Sequence, residues 1–160
     1  MRRTWLATYP SVEVGITEED IRLRTDGQNG ERIPQNIERW RKSIKTTDGS
    51  RAVFVARTDS RVVGVAAPSL SEGKRRLGAL YVLPETQGTG VGSKLMQKAL
   101  EWLGDKEDIY LKCASYNQTA IDFYKHFGFE QTDTPVIDKG NVYGNTLIPE
   151  IEMVLRAKDH

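Results

Sequence analysis

A single α/β domain built on a mixed sheet is predicted by three features of the chain. The stretch Leu77 to Leu103 reads as strand, glycine-rich turn and helix. Two apolar runs, Ala52 to Arg57 and Arg61 to Ala67, flank Thr58-Asp59-Ser60, which is hairpin spacing. Beyond them the order of elements is helix, strand, helix, strand, strand. Antiparallel strands followed by alternating helices and strands make a mixed sheet. At 160 residues the chain suffices for one domain, 1–160, with a sizeable core.

Composition narrows the function. Hydrophobic residues are 38% and charged residues 28%, as in a globular protein rather than a disordered one. The net charge of +1 creates no broad field for nucleic acid or a membrane surface, so neither is an expected partner. Any anion site must be local. The one cysteine, Cys113, rules out an intrachain disulfide framework and fits a reducing, cytoplasmic setting. It lies in an apolar run with no histidine nearby in sequence, so it reads as a buried strand residue rather than a nucleophile. No run approaches membrane-spanning length, and the N-terminus has no apolar signal core.

Taken in order, Met1 to Pro10 reads as the end of a helix with Trp5 and Leu6 inward. Thr17 is an N-cap, and Glu18, Glu19 and Asp20 suit the positive end of a short helix. Pro34 starts a helix to about Lys45, with Ile37, Trp40, Arg41 and Ile44 on its inner face. The hairpin follows, with Gly64 marking a bulge. Ser69 to Lys74 reads as a polar loop and Arg75 to Leu83 as a strand stopped by Pro84. Val91, Leu95, Ala99, Leu100 and Leu103 recur at helical spacing. Ile109 to Ala114 is a buried strand, and Asn117 to His126 is a helix ended at Gly128. Phe129 starts another strand, Asp138 to Gly144 is a polar loop, and Leu147 to Leu155 is the last strand.

Gln87-Gly88-Thr89-Gly90-Val91-Gly92-Ser93 carries the first chemical signal. Alternate glycines take away the side chains that would keep a ligand off the backbone. The first amides of the following helix have no intrahelical acceptor, and the helix dipole adds positive charge there. A phosphate or pyrophosphate fits such a turn; a turn that merely lets the helix pack closely on the strand explains the same glycines. A Walker A loop is excluded because Ser93 precedes Lys94 and the glycine spacing is one short. A Rossmann fingerprint is excluded because the third glycine is misplaced. What remains is Gln/Arg-x-x-Gly-x-Gly/Ala. Here the chain resembles the GNAT superfamily of N-acetyltransferases, most specifically from Val53 to Phe129.

The resemblance implies a mostly antiparallel mixed sheet with helices on both faces, and acetyl-CoA as co-substrate with no metal. It implies that Gln87 to Ser93 hold the pyrophosphate. The strand Leu80-Tyr81-Val82 would bond the pantetheine through its backbone and polarise the thioester carbonyl. A second stretch, Asn117 to Phe129, is similar to the family signature Asn-x-x-Ala-x-x-x-Tyr-x-x-x-Gly-Phe at Asn117, Ala120, Tyr124, Gly128 and Phe129. Asn117, Ala120, Ile121 and Tyr124 share one helical face. Asn117 either caps the helix or bonds the pantetheine. By the resemblance, Tyr124 protonates the leaving CoA thiolate or stabilises it; a core tyrosine is the plainer alternative.

The implied reaction is direct attack of a neutral primary amine, of a small molecule or peptide, on the thioester. Such an amine is protonated at neutral pH, so a base is needed. Relatives often carry a glutamate on the strand before the turn, and this chain has none between Arg75 and Tyr81. Glu150 and Glu152, on one face of the last strand, are the candidate base or amine-binding pair, with solvated strand carboxylates as the alternative. Trp5, Tyr9, Glu18-Glu19-Asp20, Trp40 and Tyr143 are candidate acceptor-site residues and suit a cation such as a polyamine, an aminoglycoside or a lysine. A family member usually opens with a strand and a longer helix; here the first strand and half of that helix are expected to be missing. That leaves a sheet edge uncovered, which points to a weaker fold or association as a homodimer. The rival to an enzyme is a non-catalytic acyl-CoA-binding regulatory module, given weight by the missing base and short front. A nucleotide hydrolase is disfavoured by the reversed Ser93 and Lys94.

Overall fold

In the computed structural model, residues 2–46, 48–59, 61–137 and 148–158 are described, with backbone only at 134–137. Three helices come first: α1 (Arg2–Thr8), α2 (Glu18–Asp26) and α3 (Arg32–Lys45). Strands β1 (Phe54–Thr58), β2 (Arg61–Ser71) and β3 (Lys74–Val82) form a meander. A single 3₁₀ turn (Pro84–Thr86) leads to α4 (Val91–Leu103). Then come β4 (Ile109–Ala114), α5 (Gln118–His126), β5 (Glu130–Ile137) and β6 (Pro149–Leu155). The predicted loop Asp138 to Gly144, together with Tyr143 and Leu147, lies outside the described residues.

The six strands form one sheet in the order β1-β2-β3-β4-β6-β5. Every neighbouring pair is antiparallel except β3 with β4. The mixed, mostly antiparallel sheet is therefore as predicted. β1 and β5 are its outer strands.

Strand alternation places cores on both faces. On one face α4 and α5 bury Leu95, Met96, Ala99, Leu103, Ile121 and Tyr124 against the sheet. Cys113 belongs to that core, whereas the next residue, Ala114, packs with Ile16, Ile21 and Ile148 beneath α1 and α2. Gly64 permits the close seating of α4. A Cβ there would stand 2.8 Å from Leu95 Cδ1 and 3.2 Å from the Tyr81 carbonyl oxygen. The bulge expected at Gly64 falls on its neighbour: Ala56 pairs with Gly64 and Arg57 with Val62, which leaves Val63 without a partner in β1.

Local capping follows the sequence closely. Thr17 and Asp20 form a reciprocal capping box at the start of α2. Two readings are corrected. Ser69 to Lys74 is not a loop: β2 continues through Ser71 and turns back at Glu72-Gly73, whose φ values of 54° and 69° make the two-residue turn. Pro68 lies within β2, where the register between β2 and β3 shifts. The predicted inner face of α3 is also not buried. No residue of α3 is buried, and Ile37 and Ile44 remain exposed, because the helix spans a cavity instead of lying on the sheet. It begins at Arg32, two residues ahead of Pro34.

Candidate active site

The parallel β3–β4 ladder pairs Arg75, Arg76 and Leu77 with Ile109, Tyr110 and Leu111, and then stops. Both strands continue, β3 to Val82 and β4 to Ala114, each still paired on its other side. Residues 78–82 thus face a gap with one edge of their backbone open. Leu80, Tyr81 and Val82 lie on this stretch of β3 beyond its pairing with β4.

The glycine turn follows directly from that end of β3. Gly88 and Gly90 have φ of 77° and 82°, a region that side chains rarely adopt. A Cβ at either would meet nothing within 4 Å. Close packing therefore does not explain these two glycines; the turn needs their conformation, and its surface is open. Gly90 is the N-cap of α4 and supplies no side-chain bond to the first amides, including those of Val91, Gly92 and Ser93. Side chains brace the turn from behind. Gln87 Nε2 donates to the Val82 carbonyl at 3.2 Å, and Thr89 Oγ1 donates to the Thr86 carbonyl at 2.6 Å. Gln87 and Thr89 thus hold the loop's shape, while the free amides are what an anion would meet.

Tyr124 comes up from α5 on the opposite side of the gap. Its ring packs edge-on against Phe123 and Phe129. Burial holds its hydroxyl well above the usual tyrosine range, and nearby Cys113 and Tyr81 push it further. Those two residues belong to β4 and β3, the strands whose pairing stops at Leu111 and Leu77. Asn117 is the N-cap of α5: its Oδ1 accepts the Ala120 amide at 3.1 Å. Of the two roles left open for it, the structure displays the cap.

The face toward α1 is a cluster of aromatics that the sequence only partly revealed. Trp5 and Tyr9 lie with ring centroids 4.7 Å apart, and Trp5 stands 6.2 Å from Tyr81. Tyr116 donates its hydroxyl to the Tyr9 carbonyl at 2.7 Å, tying the loop after β4 to α1. The Trp5 indole N–H is buried near the Tyr81 hydroxyl without reaching good hydrogen-bond geometry. Burial, above all, raises the hydroxyls of Tyr9, Tyr81 and Tyr116, the last to about 12. The Glu150 carboxylate adds to the rise at all three and at Cys113, whose thiol burial lifts to about 11.

Glu150 sits on β6 opposite Ala114, near enough to act electrostatically on those tyrosines. Glu152 is two residues further on the same face, opposite Lys112. No described contact joins Glu152 to the aromatic cluster. Cys113 is buried against Met153, its sulfur 3.9 Å from the thioether, as expected of a strand residue. Glu18, Glu19 and Asp20 serve the start of α2, where Glu18 pairs with Arg22 at 3.4 Å. Among the described residues no three His, Cys, Asp or Glu side chains gather to hold a metal. No described helix is long and apolar enough to cross a membrane.

Residues 17–129 match the sequence model of the acetyltransferase (GNAT) family. An uncharacterized N-acetyltransferase of Mycobacterium tuberculosis is 33% identical over 127 residues, covering 76% of this chain and 80% of that protein. An N-alpha-acetyltransferase of Sulfurisphaera tokodaii is 30% identical over 95 residues, covering 50% of this chain and 57% of that one. Among solved structures, the PaiA N-acetyltransferase of Thermoplasma acidophilum in complex with coenzyme A aligns with a TM-score of 0.64. It is 23% identical and covers 97% of this chain and 87% of that one.

Proposed function

Because the chain belongs to the acetyltransferase (GNAT) family and is an N-acetyltransferase, we propose that it moves the acetyl group of acetyl-CoA to a primary amine of a small molecule or peptide by direct attack. The observation that carries this reading is the interrupted β3–β4 ladder, with the open glycine turn at its end and Tyr124 beside it. Residues 1–160 act as one catalytic domain in this reading, and a cytoplasmic setting suits the single thiol.

The residues present fit the co-substrate. The uncapped amides at Gly90 to Ser93 would hold its pyrophosphate, and Gln87 to Thr89 keep the turn in shape. The free edge of Leu80, Tyr81 and Val82 would bond the pantetheine amides, much as the absent strand partner would. Asn117 holds the start of α5 and so the height of Tyr124. When bound, acetyl-CoA supplies an activated thioester. A backbone amide of Leu80 to Val82 polarises its carbonyl. Glu150 draws the proton from the incoming ammonium, directly or through water, and Glu152 on the same strand face helps hold the amine. Tyr124 keeps its proton until the sulfur leaves, then donates it. Burial suits that role, since it keeps the phenol neutral at working pH. The S. tokodaii N-alpha-acetyltransferase supports a peptide N-terminus as one acceptor.

Calorimetric titration with acetyl-CoA, followed by thiol release over a panel of amines, tests the proposal. Binding with amine-dependent thiol release is expected. Binding with no release from any amine would instead favour a regulatory acyl-CoA-binding module. Failure to bind would remove the turn's assigned role.

A further inference from the structure

Under α3 lies a cavity of about 570 Å³, the size of a small-ligand site. Its roof is the apolar stripe of α3: Ile33, Ile37, Trp40 and Ile44 recur at helical spacing, and all four line the hollow. Its floor is the outer end of the sheet, through Val53, Val55, Val62 and Val65. Neither surface is covered. Ile37 is 46% exposed, Ile44 63% and Val55 51%. Large apolar side chains left open around one hollow mark a site that an apolar group fills.

The floor runs toward the unpaired end of β3. Val55 pairs with Val65 across β1 and β2, and Val65 pairs with Tyr81 across β2 and β3. Paired residues point to the same face, so the three share one surface. Two strand spacings, about 10 Å, separate Val55 from Tyr81, a span that an extended chain of roughly eight carbons covers. Trp5 lines the cavity and stands 6.2 Å from Tyr81, so it belongs both to the hollow and to the aromatic cluster. The arginines at the rim are engaged there: Arg2 with Asp26 at 2.6 Å, Arg24 over the Trp5 ring at 5.6 Å, and Arg41 3.9 Å from Glu38. What sets the interior apart is its apolar lining. A flat patch would suit a second copy; a roofed hollow that ends beside Tyr81 suits a small body joined to the reacting amine.

We propose that this cavity seats the non-reacting body of the acceptor, and that the acceptor is a primary amine whose body is apolar and uncharged. The inference rests on the acetyl-transfer reading above. The body lies between the α3 stripe and the floor of Val55 and Val65, and the amine end extends past Trp5 toward Tyr81 and Glu150. This departs from the cation expected from the sequence. Glu18, Glu19 and Asp20 do not line the cavity. The further ammonium groups of a polyamine or aminoglycoside would have to leave water against isoleucine and valine. The same apolar chemistry is offered by an alkylamine and by the N-terminus of a peptide that begins with large apolar residues.

The test is thiol release from acetyl-CoA along two series: ethylamine, butylamine, hexylamine and octylamine, and the peptides Gly-Gly-Gly and Leu-Leu-Gly with free N-termini. Spermidine is the polycation control. Wild type, Ile37→Gln and Val55→Thr are compared, with light scattering on each; the first variant keeps a good helix former and the second a β-branched side chain of the same shape. The alkylamines share nearly one basicity, so a rate that climbs with chain length reports seating rather than reactivity. In wild type kcat/KM should climb roughly two- to fourfold per added methylene, carried by KM, the factor for taking up to one methylene out of water. Alternatively Leu-Leu-Gly should outpace Gly-Gly-Gly by about tenfold or more; the series that responds identifies the source. Both variants should flatten that series, losing more with its apolar member than with its short one. Two flat series, with release intact or fastest for spermidine, would overturn the inference and leave acetyl transfer standing. So would a climb unchanged in both variants, since the body would then be seated elsewhere, or flat series with a doubled mass, since a second copy would then cover the groove. No release from any amine, despite acetyl-CoA binding, would remove the acetyl-transfer reading and this inference with it.

Discussion

Replacing Tyr124 with phenylalanine removes one hydroxyl and leaves the ring's contacts with Phe123 and Phe129 in place. If that hydroxyl protonates the departing thiolate, kcat should fall by about a hundredfold, the lower range for a positioned acid. Acetyl-CoA affinity, read by titration calorimetry, should change little. Equal losses in rate and affinity would instead make the residue a packing element. The helix that carries Tyr124 was legible in the sequence, because Asn117, Ala120, Ile121 and Tyr124 recur at helical spacing, whereas the role proposed for its hydroxyl came from the family resemblance. Trp5, Tyr9 and Tyr81 were harder to group, because α1 and β3 meet only through the fold.

Elements differ in what their glycines are for. At Gly64 the constraint is space: Leu95, Val91 and the Tyr81 carbonyl crowd the missing side chain. Gly64→Ala should lift α4 from the sheet and cost about 1–3 kcal/mol, the usual penalty for overpacking. Urea unfolding would show it, and an unchanged midpoint would mean that α4 is seated more loosely than its contacts suggest. Motifs held within one element were readable from sequence, as with the Thr17–Asp20 box and the turn into α4. Features that need a partner strand were not. The apolar run read from the sequence stops at Ala67, yet β2 continues through Pro68 to Ser71, where its register with β3 shifts. α3 has a well-formed apolar stripe, yet sequence periodicity cannot tell a stripe against a core from one over a cavity. The lining of the cavity under α3 was invisible for the same reason: α1, α2, α3, β1 and β2 each supply part of it.

Across the whole molecule, burial holds several neutral acids together. Cys113 rises from its usual 9.0 to about 11 and Tyr116 from 10.0 to about 12; Tyr9, Tyr81 and Tyr124 also rise. In each case the folded state keeps a proton that the unfolded chain gives up. Their contribution to stability is therefore intact below the unfolded values and is lost as pH climbs through the folded ones. Melting temperature should be insensitive to these groups at neutral pH and fall progressively from about pH 9 upward. A melting temperature that stayed level to pH 12 would show that the tyrosine cluster opens to water before it ionises.

Only three rungs join β3 to β4, so the sheet is two smaller sheets sharing a short seam. On one side are β1 to β3 with α4; on the other, β4 to β6 with α5. A ligand laid into the gap would act as a temporary strand, and its amides would complete the seam. The backbone hydrogens of residues 78–82 that face the gap should then exchange with deuterated water quickly in the empty protein and slowly once coenzyme A is present. The binding site would be written into the protein's isotope-exchange map as a strand that becomes whole only in company.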